Sequence, residues 1–123
     1  IEKLKKVISL KKEINEMYKE KINKIDGLSI MSAPSYSDSN YWMNILKIDK
    51  NYKYSKNYLL KKLISKNIEA RSVWYPNHLQ KPYKNNQAYK IKMANIIFNS
   101  YMCLPSSSFL KSNQIKFILE NLK

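Results

Sequence analysis

A chain of 123 residues with 44% hydrophobic composition can build one domain with its own core, but not two. Single copies of glycine, cysteine and histidine exclude a glycine-rich phosphate loop, a disulfide framework and a zinc cluster built from this chain. No apolar run reaches the roughly 18 residues of a membrane span, and no signal-peptide pattern is present. We therefore expect a soluble domain of the reducing cytoplasm.

The net charge of +14 admits two interpretations. Dense lysines favour phosphate contacts, so a free-standing basic α+β module that binds nucleic acid is one alternative. However, the lysines are scattered over every segment, and Arg71 is the one arginine among 23 basic residues. Lys, Ile, Asn and Tyr are all abundant, as in AT-rich coding sequences. We therefore favour a solvated lysine surface over specific nucleic-acid binding.

A helix is predicted over residues 1–25, because apolar residues recur there at spacings of three and four. Asp26-Gly27 ends it, with Gly27 as a left-handed C-cap. The pattern is already under way at the first residue, which is not Met and has no N-cap before it. We therefore expect a longer helix in a longer parent protein. The apolar positions are Ile1, Leu4, Val7, Ile8, Ile14, Met17, Tyr18, Ile22 and Ile25.

Two strands and a second helix are predicted next. Leu28–Met31 is a candidate short strand, and Asn40–Asp49 is a longer strand with alternating faces, separated by a loop of turn residues. Lys56–Lys66 is predicted as a helix with Ser55 as its N-cap and Asn67 in the left-handed C-cap conformation. Its predicted buried side consists of Leu59, Leu60, Leu63 and Ile64.

The last third of the chain completes an α+β fold. Ile68–Tyr75 is predicted as a strand, followed by a loop with two prolines and a helix near Gln87–Met102. An irregular stretch over Cys103–Phe109 then leads to a final helix near Asn113–Leu122, capped by Ser112. These elements predict a small, mostly antiparallel sheet with packed helices, preceded by the long N-terminal helix.

The segment "EARSVWYPNHLQKPY" (residues 69–83) concentrates the rarest side chains of the chain. Arg71 carries a planar fork that suits a carboxylate or a phosphate, and the alternative is an ion pair or a stack on Tyr75. Trp74 shares its predicted strand face with apolar residues, so core packing is favoured for it, as it is for Trp42. Tyr75 is balanced between a pocket wall and the core. His78 lies in the proline-bounded loop, where a loop hydrogen bond competes with ligand contact.

Two further groups favour structural roles. Cys103 stands between Met102 and Leu104, which predicts a buried, inert thiol. Ser106–Ser108 has no neighbouring histidine and acid to complete a catalytic triad, so hydrogen bonding within a loop is its expected role.

Three stretches together resemble a known family. They are "NYWMNILKI" (residues 40–48), "LLKKLISKNIEARSVWYPNHLQKPY" (residues 59–83) and "MCLPSSSFLKSNQIKFILENL" (residues 102–122). Their order and content are similar to the C-terminal small domain of DegT-type sugar aminotransferases, which are fold-type I enzymes that use pyridoxal phosphate. The resemblance covers essentially all of the chain. "WYPNH" and "LPSS" resemble the branch that makes 4-amino sugars of the perosamine or legionaminic-acid kind.

The resemblance implies a division of the chain and an activity. Residues 1–25 would be the linking helix from a large domain that is missing here, and residues 26–123 would be the small domain. The intact enzyme would transfer an amino group from glutamate to a nucleotide-linked keto sugar, for surface polysaccharide or glycan synthesis. The implied partners are the large domain of the same protein, a second copy in a homodimer, the nucleotide sugar and glutamate, with no membrane and no specific nucleic acid.

The resemblance also implies which residues matter. Substrate contact is expected from Arg71, Trp74, Tyr75 and His78. The Schiff-base lysine, the aspartate facing the pyridine nitrogen and the phosphate-holding residues belong to the large domain of the family. No catalytic, cofactor-binding or metal-binding residue is therefore assigned here, and the chain alone is expected to be inactive and to bind no pyridoxal phosphate. An oligomerisation domain without a site of its own remains a third alternative.

Overall fold

A computed structural model describes residues 2–123. Within that range the α+β class predicted from the sequence is confirmed, with a long helix first and an antiparallel sheet behind it. None of the described helices is both long and apolar enough to cross a membrane. The helices are α1 (Leu4–Ile22), α2 (Lys56–Ser65), α3 (Lys92–Ser100) and α4 (Ser112–Leu122), and the strands are β1 (Leu28–Ile30), β2 (Asn44–Ile48), β3 (Arg71–Ser72) and β4 (Tyr101–Leu104).

The sheet has the strand order β1-β2-β4-β3, and every neighbouring pair is antiparallel. Alternation along β2 turns Asn44, Leu46 and Ile48 to the interior. The core forms where this face meets α1, α2 and α4, around fully buried residues such as Tyr18 and Met102. In contrast, α3 contributes no fully buried residue.

The largest error of the sequence prediction lies at β4. The predicted helix Gln87–Met102 is observed only over Lys92–Ser100. A strand, Tyr101–Leu104, replaces the last two residues of that predicted helix and the first two of the stretch predicted to be irregular. This strand is central, because it pairs with β2 on one side and β3 on the other. A short apolar run is compatible with a buried helix or a buried strand, and the partners that decide between them are distant in sequence.

The first helix ends at Ile22, three residues before the predicted end, and Asn23 is its C-cap. Gly27 therefore does not cap the helix, although its φ of +78° is left-handed as expected. It forms the turn into β1, where an added Cβ would lie 2.8 Å from the Cβ of Tyr52. Ile1, which opens the predicted apolar stripe, lies outside the described residues.

The second helix agrees with its prediction in most details. Ser55 is the N-cap, with its Oγ accepting the amide N–H of Tyr58 at 3.3 Å, and Asn67 takes the left-handed conformation at φ +57°. The amide N–H of Ile68 then closes the C-terminal turn on the carbonyl of Leu63 at 3.0 Å. Ile64 is exposed and not on the buried side as predicted.

Smaller differences concern element ends and caps. The strand predicted over Asn40–Asp49 begins at Asn44, and the strand predicted over Ile68–Tyr75 is limited to Arg71–Ser72. The cap of α4 is Lys111 and not Ser112, since the backbone N–H of Lys111 donates to Gln114 Oε1 at 2.9 Å. The prediction for Cys103 is confirmed: the residue is buried, and burial raises the pKa of its thiol.

Candidate functional site

The two tryptophans of the chain form one exposed aromatic pair. Trp42 and Trp74 are 63% and 64% exposed, and their ring centroids lie 6.0 Å apart with the planes at 46°. The core positions predicted for both are therefore wrong. Large aromatic surfaces left in water commonly mark contact sites for ligands or partners.

Local backbone geometry explains why each tryptophan faces outward. Before β2, Tyr41 adopts a φ of +52°, and the amide N–H of Trp42 donates to Asn40 Oδ1 at 3.0 Å. This turn removes Trp42 from the strand alternation. On the other side, β3 ends at Ser72, so Val73 is buried and Trp74 is exposed. A non-glycine residue at positive φ costs roughly 1 kcal/mol or more, which identifies Tyr41 as a constrained position beside the pair.

Arg71 lies in the edge strand β3, and its guanidinium pairs with the carboxylate of Glu69. This is the structural ion pair that the sequence left open as an alternative to ligand binding. Both side chains are 74% exposed, and a pair this exposed contributes little to stability. Arg71 is therefore held by an exposed contact that a better anionic partner can replace.

Tyr75 and His78 follow on the same segment. The Tyr75 ring is about half exposed and packs edge-on against Phe98, with centroids 5.1 Å apart. His78 is half-buried in a 3₁₀ turn, Asn77–Leu79, that begins at the buried Pro76. The turn is closed by local hydrogen bonds, among them Gln80 Nε2 to Asn77 Oδ1 at 2.9 Å. The segment is thus ordered by its own contacts and presents its side chains at the surface.

A buried polar network supports the Trp42 side of the site. Asn44, the first residue of β2, donates its backbone N–H and its Nδ2 to Ser106 Oγ, at 2.8 and 3.0 Å. Its Oδ1 accepts from Asn15 Nδ2 of α1 at 2.9 Å. The hydrogen-bonding role predicted for the serine loop is thus confirmed at Ser106. Sequence reasoning missed both asparagines, although each one interrupts an otherwise apolar face.

Lys11 extends this network to the backbone near Trp42. Its Nζ donates to the carbonyl oxygen of Ser106 at 2.6 Å and to that of Trp42 at 3.4 Å. Tyr18 OH donates to the carbonyl of Pro105 at 3.2 Å, and burial raises its pKa far above the ordinary value. α1 is therefore joined by hydrogen bonds to the segment before β2 and to the loop after β4, which lie at the same end of the sheet.

The model of the DegT/DnrJ/EryC1/StrS aminotransferase family matches residues 1–123. The chain belongs to this family. Three similar proteins agree with the match. Pyridoxal phosphate-dependent aminotransferase EpsN of Bacillus subtilis (strain 168) is 26% identical over 126 residues, which cover 99% of this chain and 32% of that protein.

Two solved structures share the fold of this chain. DesI, crystallised in the presence of its TDP-sugar product, gives a TM-score of 0.90 at 15% identity, covering 98% of this chain and 31% of DesI. The aminotransferase TlmJ from Streptoalloteichus hindustanus gives 0.85 at 18% identity, covering 98% of this chain and 32% of TlmJ. The chain therefore spans about a third of the length of the relatives it matches.

Neither the buried lysine nor the single glycine among the described residues offers a site for pyridoxal phosphate. The buried lysine among residues 2–123 is Lys56, and its ammonium is occupied by the carbonyl of Phe98 and by Ser72 Oγ. Gly27 offers no phosphate cradle, because the backbone of Tyr52 fills the space beside it. Imine formation on the cofactor needs an accessible lysine amine. In this arrangement the Lys56 amine is not accessible for that bond.

Proposed function

We propose that this chain is the C-terminal small domain of a pyridoxal phosphate-dependent sugar aminotransferase, with residues 1–25 as the helix that links it to a large domain. The family match over the whole chain, together with coverage of about a third of each relative, supports this assignment. In the proposal the cofactor and its lysine belong to the large domain. The small domain contributes a wall of the substrate pocket.

The burial pattern of α1 supports a linking role. The buried residues of this helix, Ile14, Asn15, Tyr18 and Ile22, all lie in its second half. In the first half Leu4 is 55% exposed and Val7 and Ile8 are half-buried. An apolar stripe left half-covered by its own domain is suited to packing against another one.

The observation that carries the substrate proposal is the exposed tryptophan pair, in which Trp74 lies three residues along the chain from Arg71. Aromatic faces stack on bases and on the apolar faces of sugar rings, and a guanidinium matches a diphosphate or a carboxylate. We propose that Trp42, Arg71, Trp74, Tyr75 and His78 together present one surface, here called the substrate surface, to a nucleotide-linked sugar. The similar structure of DesI was determined in the presence of its TDP-sugar product, which supports the same substrate class for this chain.

We further propose a keto sugar linked to a nucleotide as amino acceptor and glutamate as donor. The similarity of "WYPNH" and "LPSS" to the perosamine and legionaminic-acid branch favours a 4-amino sugar for a surface polysaccharide. We also propose that the intact protein is a cytoplasmic homodimer, as the family resemblance implies.

Three experiments test the function. The coding sequence upstream of the codon for Ile1 is expected to encode a large α/β domain with an internal lysine. The protein that carries this chain and that domain should convert glutamate to 2-oxoglutarate in the presence of nucleotide-linked 4-keto sugars. The chain alone should give no saturable absorbance band with pyridoxal phosphate. A stoichiometric micromolar cofactor site on residues 1–123, lost on replacing one lysine, would contradict the domain assignment.

A further inference from the structure

Lys56 is the first residue of α2 and is only 8% exposed. Charged side chains are rarely this buried without an opposite charge beside them, yet none of the ion pairs within residues 2–123 includes this ammonium. The helix dipole also disfavours a cation at the N-terminal end of a helix. Burial lowers the pKa of Lys56, so the protonated side chain costs the folded state stability at neutral pH.

The contacts of this ammonium lie on two other elements. Nζ donates to Ser72 Oγ of β3 at 2.9 Å and to the carbonyl oxygen of Phe98 in the last turn of α3. It also lies 4.3 Å from the centroid of the Phe98 ring, in cation–π geometry. Lys56 therefore ties α2, β3 and α3 together at one point.

That point adjoins two residues of the substrate surface, Arg71 and Tyr75. Ser72 follows Arg71 in β3, an edge strand of two residues that pairs with β4. The Phe98 ring packs against Tyr75, with planes at 83°. A two-residue edge strand and a helix without fully buried residues are weakly held by packing alone, so a specific tether there has a large share in their placement.

We propose that Lys56 is a positioning residue of this enzyme: by holding Ser72 and Phe98, its ammonium keeps Arg71 and Tyr75 in place at the substrate surface. The kinetic part of this inference rests on the proposed function. The structural part does not, because it concerns contacts within the chain. In this proposal Lys56 acts through Ser72 and Phe98 and does not itself contact substrate or cofactor.

The structural part is tested on the chain by nuclear magnetic resonance. Lys56→Met keeps the apolar stem and removes the donors. We expect amide exchange across the β3–β4 pair to accelerate about tenfold and the ring contacts between Phe98 and Tyr75 to weaken. Lys61→Met, on an exposed lysine of the same helix, should change neither.

Unchanged exchange and ring contacts in a folded Lys56→Met chain would overturn the proposal. If that variant does not fold, Ser72→Ala removes one acceptor of the tether and gives the same readout, with a smaller acceleration expected. Unchanged exchange in Ser72→Ala would then overturn the proposal equally.

The kinetic part is tested in the whole enzyme that contains this chain. Lys56→Met should lower kcat/KM for the nucleotide sugar about tenfold, mainly through KM, because displaced binding groups weaken productive binding. Lys56→Arg, which still donates to both acceptors, should restore part of the loss, and Lys61→Met should behave as wild type. If Lys56→Met displaces the rings of Phe98 and Tyr75 but leaves kcat/KM unchanged, the kinetic role is wrong and only the structural role of Lys56 stands. An inactive wild-type enzyme would instead refute the proposed function.

Discussion

The two sides of the substrate surface are held in opposite ways. On the Trp42 side, Asn15, Asn44 and Ser106 form a buried, fully paired network between α1 and the sheet. On the Arg71 side, a two-residue edge strand, an exposed ion pair and the Lys56 tether hold the chain. A buried network is costly to break, whereas an exposed pair is cheap to exchange. Substitutions should therefore affect stability on the first side and substrate binding on the second.

The largest effect is expected at Asn44. Asn44→Ala removes both side-chain bonds and leaves Asn15 Nδ2 buried without its acceptor, which should lower the free energy of unfolding by about 3 kcal/mol. Urea denaturation of the chain measures this value. Asn57→Ala, on an exposed face of α2, is the matched control and should change it by less than about 0.5 kcal/mol. A loss below about 1 kcal/mol at Asn44 would show that the network is not a stabilising element.

On the opposite side, Arg71→Lys should leave stability almost unchanged. The substitution keeps the charge but loses the planar fork, so we expect kcat/KM of the whole enzyme for the nucleotide sugar to fall by the equivalent of about 1–3 kcal/mol. His78→Ala should act in the same direction. Lys84→Ala, a change at an exposed lysine of the same region, should have little effect. Lower melting temperatures with normal turnover would assign Arg71 and His78 to the scaffold.

A pH series sharpens the comparison on the buried side. Because burial raises the pKa of Tyr18, this group stabilises the fold fully below its unfolded pKa of about 10, and stability should fall above that pH. The expected slope is at most about 1.4 kcal/mol per pH unit for this group. Tyr52 and Cys103 have raised pKa values and add to the decline, while the lowered pKa of Lys56 opposes it.

Tyr18→Phe separates this group from the others. Its unfolding free energy should decline less steeply between about pH 10 and 11 than that of wild type, whereas Tyr89→Phe, at an exposed tyrosine, should leave the slope unchanged. Equal slopes in wild type and Tyr18→Phe would show that Tyr18 does not cause the loss of stability above about pH 10.

The smallest effect is expected for nucleic acid. If the lysines form a solvated surface, binding of single-stranded or duplex DNA should be weak, independent of sequence and lost by about 0.2 M salt. Gel-shift titrations at several salt concentrations measure it. Sub-micromolar, sequence-dependent binding at physiological salt would favour the nucleic-acid module and would give the exposed tryptophans a different ligand.

Local signals predicted much of the fold correctly. The N-cap at Ser55, the left-handed Asn67 and the start of α2 follow from side chains and backbone within a few residues of one another. The α+β class follows from hydrophobic periodicity, which is also local. The buried state of Cys103 was predicted from its two apolar neighbours.

The errors at Trp42, Trp74 and β4 have a different origin. Hydrophobicity predicts that a tryptophan lies in the core. However, the backbone turns at Tyr41 and β3 ends early at Ser72, so both rings face solvent. The strand identity of Tyr101–Leu104 depends on partners in β2 and β3, which are distant in sequence. The sequence does not distinguish Lys56 from the other lysines, because only its burial in the fold sets it apart.

The amino-acid sequence by itself therefore determined the fold class, the second helix with its caps, the family resemblance and the segment that carries Arg71 and His78. Those features depend on residue type and short-range spacing. The tertiary structure alone decided that the tryptophans pair at the surface and that Asn15, Asn44 and Ser106 form one network. It also decided that Lys56 contacts the Phe98 ring, which packs against Tyr75. Each of these joins residues from separate elements, and their contact depends on how the strands and helices pack.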